Sequence, residues 1–215
     1  MLKAVSLTAV AVLCLFFVVP LDSSAAEKAD EQGWISLFNG KDFTGWRISE
    51  DGNWKVEDGV IVGGGNRSHV FSDQKFKDFE FKTECQLEPG SNSGVYFHAD
   101  YVETWPVVGL EVQLNNTHGD PRKTGSLWGV THAFESAAKD NEWFELHVKV
   151  VGNHVQTFVN GKMVIDYIQP NGVTDDRRVR EEGGSFALQA HDPKSVMKFR
   201  NIRVKPLDSK KSKDK

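Results

Sequence analysis

Three short stretches hold most of the chain's capacity for chemistry, and each sets polar groups two residues apart. In Leu110-Glu111-Val112-Gln113-Leu114-Asn115 a carboxylate and two amides alternate with aliphatic side chains. In Val95-Tyr96-Phe97-His98-Ala99 a phenol and an imidazole alternate with Val95 and Phe97. In Phe186-Ala187-Leu188-Gln189-Ala190-His191 an amide and an imidazole take the same places. A period of two is that of a β-strand, whose successive side chains point to opposite faces. One face of these strands is therefore apolar, while the other collects Tyr96, His98, Glu111, Gln113, Asn115, Gln189 and His191. An ordinary solvent face is richer in Lys, Glu and Thr. Amides pair with hydroxyl groups and aromatic faces stack on pyranose rings, so this set, with Trp105 and Trp128, describes a sugar-binding surface. Lys123, in the loop after Asn115, is counted with it. Taken singly, each residue has a plainer reading: Glu111 as a solvated strand residue, His191 as the cap of a His191-Asp192-Pro193 turn, His98 as a packed edge residue. The argument lies in the agreement of three strands.

The elements that must position these groups are strands throughout. Apolar and polar residues alternate over 79–87 and 143–150, as expected of half-buried strands. Segments 154–159 and 163–168 flank Asn160-Gly161, and 54–57 and 60–63 flank Asp58-Gly59. Both dipeptides are strong signals for two-residue hairpins, because both residues must adopt positive φ. Segments 185–191 and 198–205 supply the last strands. Turn signals recur roughly every dozen residues, which predicts an all-β antiparallel sandwich in one domain. Two long loops, 115–126 and 169–184, are the natural places for functional rims.

The two ends read differently. Lys3, an apolar run over 4–20 closed by Pro20, and the small residues Ser23, Ser24, Ala25 and Ala26 form an export signal, with cleavage expected after Ala26. Leu13 before Cys14 argues against a lipoprotein, and the run is short for a membrane span, although an uncleaved anchor is the alternative. The mature chain would then be periplasmic or extracellular, with no span remaining. It would keep Cys85 alone, so no internal disulfide can form, and its core must draw on the 14 Phe and 6 Trp. Residues 208–215 are charged and Ser-rich, and are expected to be a disordered tail. A formal net charge of −4 gives no electrostatic case for nucleic acid. The chain holds no phosphate-binding Gly-Lys-Ser/Thr loop and no Gly-x-Ser-x-Gly elbow, and its 7 His are too scattered for a zinc signature. His118-Gly119-Asp120 is compatible with calcium or with simple loop ordering.

The order of several short motifs then resembles a known family, the 3-keto-disaccharide hydrolase domain. The motifs are Leu37-Phe38-Asn39-Gly40-Lys41-Asp42-Phe43-Thr44-Gly45-Trp46, Trp54-Lys55-Val56-Glu57-Asp58-Gly59, Ser91-Asn92-Ser93-Gly94-Val95-Tyr96-Phe97, Gly109-Leu110-Glu111-Val112-Gln113, Thr124-Gly125-Ser126-Leu127-Trp128-Gly129 and Phe199-Arg200-Asn201-Ile202. The resemblance spans 33–207 and implies a concanavalin A-like jelly roll of two curved antiparallel sheets, the fold of many lectins and glucanases. In those glucanases two catalytic carboxylates stand two or four residues apart on one strand. Here Gln113 and Asn115 follow Glu111, so the pair needed for ordinary retaining hydrolysis is missing.

A lone carboxylate fits what the resemblance implies. A ketone at C3 acidifies the C2 proton, and the glycosidic bond can then break by elimination. The roles expected are Glu111 as base or acid, His191 as its proton-transfer partner, and Gln113 with His98 polarising the ketone. Tyr96, Trp105, Asn115, Lys123, Trp128 and Gln189 would bind the sugar. No cofactor is assigned; a divalent cation at the ketone is the open alternative, with no ligand set visible. A sugar 3-dehydrogenase would be the functional partner. Two departures from the family pattern, His98 for a common Arg and Ala190 for a common Asp, suggest an altered substrate preference. The competing readings are a non-catalytic carbohydrate-binding module and an ordinary glycoside hydrolase.

Overall fold

The computed structural model describes residue 30 and residues 32–207; the export segment 1–26 and the tail 208–215 lie outside the described residues. Thirteen strands and no helix occur among the described residues. One sheet runs β11 (Lys162–Ile168), β10 (His154–Val159), β9 (Phe144–Val151), β6 (Phe79–Leu87), β13 (Val196–Pro206), β4 (Val60–Gly64) and β3 (Asn53–Glu57), with β1 (Ile35–Ser36) paired to β13. The other runs β2 (Trp46–Ile48), β5 (Ser68–Phe76), β12 (Gly184–Ala190), β7 (Ser93–Ala99) and β8 (Leu110–Leu114). Every pairing is antiparallel, as expected of a two-sheet sandwich. No described helix is long and apolar enough to cross a membrane.

Both predicted hairpins form. Asp58 and Gly59 have φ of 49° and 79°, and Asn160 and Gly161 have 50° and 75°, the left-handed pair that a type I′ turn demands. Aromatic side chains bind the two layers together: Phe186 of β12 meets Phe81 and Phe79 of β6 at ring-centroid distances of 4.4 and 4.8 Å. Offset and edge-on pairs of this kind add to the burial of their large apolar area. Cys85 lies wholly inside, and burial pushes its thiol far above the ordinary range, so it serves as a small core residue. The segment β5 was not signalled by alternation: Ser68-His69-Val70-Phe71-Ser72 is buried throughout, on both faces.

Candidate active site

Three adjacent strands of the five-stranded sheet are buried on both sides. Every residue of β7, β8 and β12 is buried, although only the inner set, Val95, Phe97, Leu110, Val112, Leu114, Phe186, Leu188 and Ala190, packs into the intersheet core. On the outer face the register aligns two rows. Tyr96 stands opposite Glu111 and Ala187, with Phe71 beyond; Gly94 stands opposite Gln113, and Gln189 opposite His69. The period-two reading therefore placed Tyr96, Glu111, Gln113 and Gln189 on one face correctly.

Glu111 is the centre of this face. Tyr96 donates its hydroxyl hydrogen bond to Glu111 Oε2 at 2.8 Å, and Gln189 Nε2 donates to the same Tyr96 oxygen at 3.0 Å. The carboxylate lies over Gly94: a Cβ there would sit 2.4 Å from Glu111 Oε1 and 2.7 Å from Cγ. Glycine at this position is thus a matter of space, the missing methyl leaving room for the acid. Burial pushes the Glu111 carboxyl up to about 7, against the Tyr96 hydrogen bond and the Arg177 charge, which both favour ionisation. Tyr96 is driven well above its ordinary range by burial and by the neighbouring carboxylate. Glu111 opens into a pocket of about 490 Å³ walled by Tyr96, Trp105, Val107, Trp128 and residues 174–177. An acid of this pKa, part ionised at neutral pH, can both take and return a proton.

Several expected site residues stand elsewhere. His98 does not face the pocket. Ala99 pairs with Ser185 and Tyr96 with Ala187, so Phe97 and His98 together oppose Phe186 in a bulge. His98 takes a φ of 55° there, packs its ring against Phe79 and Phe97, donates from Nε2 to Lys77 O at 2.8 Å and accepts at Nδ1 from Arg180 N at 3.0 Å. Ala190 packs in the intersheet core, so both departures from the family pattern point away from the pocket. Gln113 is on the predicted face but 1% exposed, its Nε2 donating to Asn92 Oδ1 at 2.5 Å, and it does not reach the pocket wall. Asn115 and Lys123 order the rim rather than face a ligand. Asn115 Nδ2 donates to the carbonyls of Asp120 and Arg122 at 2.9 and 2.8 Å, and Lys123 Nζ donates to those of His118 and Asp120 at 2.8 and 3.1 Å. The loop then folds back along β8, with Gln113 N donating to Ser126 O and Trp128 N to Glu111 O, both at 2.9 Å.

Trp105 is a pocket wall as expected, its ring edge-on to His69 at 5.3 Å and to His191 at 5.7 Å. His191 does not line the Glu111 pocket. It stands behind Trp105, 38% exposed, with Nδ1 3.1 Å from Asp192 Oδ2 and its ring 6.5 Å from that of His118. Trp128 lines the pocket, but the guanidinium groups of Arg177 and Arg122 lie over its ring at 4.4 and 5.3 Å, in competition with a sugar for the aromatic face.

Two residues of this region carried no sequence signal. His69 is fully buried beside Tyr96 and Trp105; its Nδ1 lies 3.4 Å from Glu50 Oε2, and its Nε2 has no hydrogen-bond partner among the described residues. Burial first, then the charges of Arg67 and His191, pushes it down to about 3, so its imidazole is neutral. Arg177 reaches the pocket from the loop after β11. Among the described residues no three His, Cys, Asp or Glu side chains are grouped to hold a metal ion.

Residues 33–205 match the model of the 3-keto-alpha-glucoside-1,2-lyase-like domain. A 3-keto-disaccharide hydrolase of Bacteroides thetaiotaomicron is 28% identical, aligning 83% of this chain with 80% of its own. A solved structure from Parabacteroides distasonis, assigned as a glycosyl hydrolase, superposes with a TM-score of 0.71 at 26% identity, covering 82% of this chain and 95% of that one. The carbohydrate-binding module CBM66 of Bacillus subtilis shares the fold alone, with a TM-score of 0.58 at 15% identity over 77% of this chain and 98% of the module.

Proposed function

Because the chain belongs to the 3-keto-alpha-glucoside-1,2-lyase-like family, and so to proteins of glycoside hydrolase kind, we propose that it cleaves glycosidic bonds of 3-keto-disaccharides by elimination and hydration. The observation that carries this reading is Glu111, a single buried carboxyl held near neutrality at the floor of a pocket and without a second carboxylate beside it on β8. Two-carboxylate hydrolysis needs a partner that Gln113 and Asn115 do not provide. Elimination asks for one base.

In the proposed course, Glu111 removes the C2 proton, which the C3 ketone has acidified, and the glycosidic oxygen leaves from C1. Tyr96 fixes the carboxylate and Gln189 fixes Tyr96, so the base keeps one orientation. Where the leaving oxygen lies on the same face as the C2 hydrogen, Glu111 carries the proton from one to the other. Where it lies on the opposite face, the proton comes from water, since Trp105 stands between His191 and the pocket. Water then adds at C1 and a proton returns to C2, which completes a net hydrolysis. The ketone must arise by oxidation of a C3 hydroxyl, so a sugar 3-dehydrogenase is proposed as the supplier of substrate. Export follows from the signal expected at 1–26.

The test compares release of free sugar from 3-keto-lactose and 3-keto-trehalose with release from the plain disaccharides. Cleavage of the keto-sugars alone is expected, with E111Q slower by about 100-fold or more. Full activity in E111Q, or equal cleavage of the plain sugars, overturns the reading; sugar binding without turnover would identify a binding module. The N-terminus of the exported product is expected at Glu27.

A further inference from the structure

Elimination through C2 places negative charge on the C3 oxygen, and a donor must wait where that charge develops. The two residues expected to polarise the ketone are not available: His98 is turned into the core by its bulge, and Gln113 is buried on Asn92. Of the side chains that wall the pocket with Glu111, Arg177 alone is cationic.

We propose that the Arg177 guanidinium is the electrophile of this site, bonding the C3 oxygen of the keto-sugar and taking up the charge formed there when Glu111 removes the C2 proton. This rests on the keto-sugar reading above. Arg177 is held for the task from two sides. Its guanidinium carbon lies 4.4 Å from the Trp128 ring centre. Gly129, at a φ of 74°, lets the backbone come close: a Cβ there would meet Arg177 Nη1 at 3.0 Å and Cδ at 3.3 Å. The two acids beside it are engaged elsewhere, since Asp175 Oδ1 accepts from the Arg177 backbone N–H at 2.7 Å and Asp176 Oδ1 lies 3.7 Å from Arg178 Nη1. Among the described residues no carboxylate lies within 4.0 Å of the Arg177 guanidinium, so its donors are free for a ligand. Its charge also favours the ionised form of Glu111.

The electron count closes. The C2–H bond breaks, its proton passes to Glu111, and its electron pair forms C2=C3 as the ketone becomes an enolate oxygen on Arg177. The pair then returns: C3=O re-forms, C1=C2 forms, and the C1–O bond breaks with its electrons on the departing oxygen, which is protonated.

The experiment follows exchange of the C2 hydrogen with deuterated solvent by NMR, together with turnover, on 3-keto-lactose. R177M is expected to lower both about 100-fold or more, mainly in kcat, with R177K intermediate. The pH profile adds a readout that a merely structural residue would not move. Glu111 is faced by Tyr96 from β7, by Asp120 from the loop after β8, and by Asp175, Asp176 and Arg177 from the loop after β11. Loss of Arg177 removes the cation that favours ionisation, so the acidic limb of the profile should move to higher pH in R177M. In R177A, guanidinium at a non-denaturing concentration should restore part of the rate. A folded R177M or R177K with wild-type exchange and an unmoved profile overturns the inference alone. E111Q that still exchanges C2 overturns the base, and a wild type inert toward every keto-sugar overturns the function and this inference together.

Discussion

The two sheets of this sandwich treat their outer faces in opposite ways. In the eight-stranded sheet, β6 and β9 alternate buried and half-buried residues along their whole length. Their outer side chains pair in reach of water, with each other and with β13: Lys82 with Glu145 at 3.0 Å, His147 with Glu80 at 3.1 Å, and Glu84 with Arg200 of β13 at 2.7 Å. In the five-stranded sheet β7, β8, β12 and the first half of β5 bury the polar outer face as deeply as the apolar inner one, and do so incompletely. Gln113 Oε1, Gln189 Oε1 and His69 Nε2 are buried with no hydrogen-bond partner among the described residues. Leaving such an atom unpaired costs about 1–3 kcal/mol, so the arrangement is not one that stability alone would favour. One sheet is finished by solvent. The other is covered, and where a pocket opens onto it stands a carboxyl poised near neutrality.

The largest test of that contrast is thermodynamic. Glu111 has a folded-state pKa of about 7 against an ordinary 4.5. Between those values the folded chain keeps a proton that the unfolded chain has released, so stability falls as pH rises through that window. The loss amounts to ~3 kcal/mol by pH 8. E111Q should therefore gain on the wild type by about 2.5 kcal/mol between pH 5 and pH 8, part of the loss having occurred below pH 5, read by denaturant unfolding at both. An unchanged difference would break the comparison. His69 has the opposite sign, since its neutral folded form loses stability as pH drops below 6.5 toward 3. It is common to both proteins and cancels in the difference.

Next comes Gly94→Ala. The three atoms nearest the added methyl all belong to the Glu111 side chain, so the fold should survive with little change in Tm while turnover of a 3-keto-disaccharide drops at least about tenfold, as expected when a catalytic group is misplaced. A large fall in Tm with activity retained would mean that Gly94 serves the strand and not the acid. The smallest effect belongs to the other sheet. Lys82→Met breaks a half-exposed pair and should cost under about 1 kcal/mol with activity unchanged. A larger loss would erase the distinction between the two faces.

Legibility in the sequence follows the same division. Period two read both sheets and placed Tyr96, Glu111, Gln113 and Gln189 together, because strand geometry alone fixes those faces. It failed at His98, where one extra residue opposite Phe186 reverses the side-chain order; a bulge leaves no mark in a composition of alternating residues. It passed over His69, since a strand buried on both faces shows no alternation to detect. Depth was equally hidden: Gln113 and Asn115 lie on the expected side, yet only packing determines that neither reaches the pocket. Arg177 sits among four charged residues of a long loop, and nothing local distinguishes it from Arg178 or Arg180, which face other carboxylates.

The rim beside the pocket has one more property. Its carbonyls are gathered by the ammonium of Lys123, three residues after Asp120, in the place where such loops often recruit an ion from solution. A recruited ion contributes order in proportion to its free concentration, and the loop loosens when that concentration falls. A charge tethered to the chain has no such dependence. For a protein expected to work outside the cytoplasm, where nothing buffers the ionic medium, the shape of the rim is independent of what the surroundings contain.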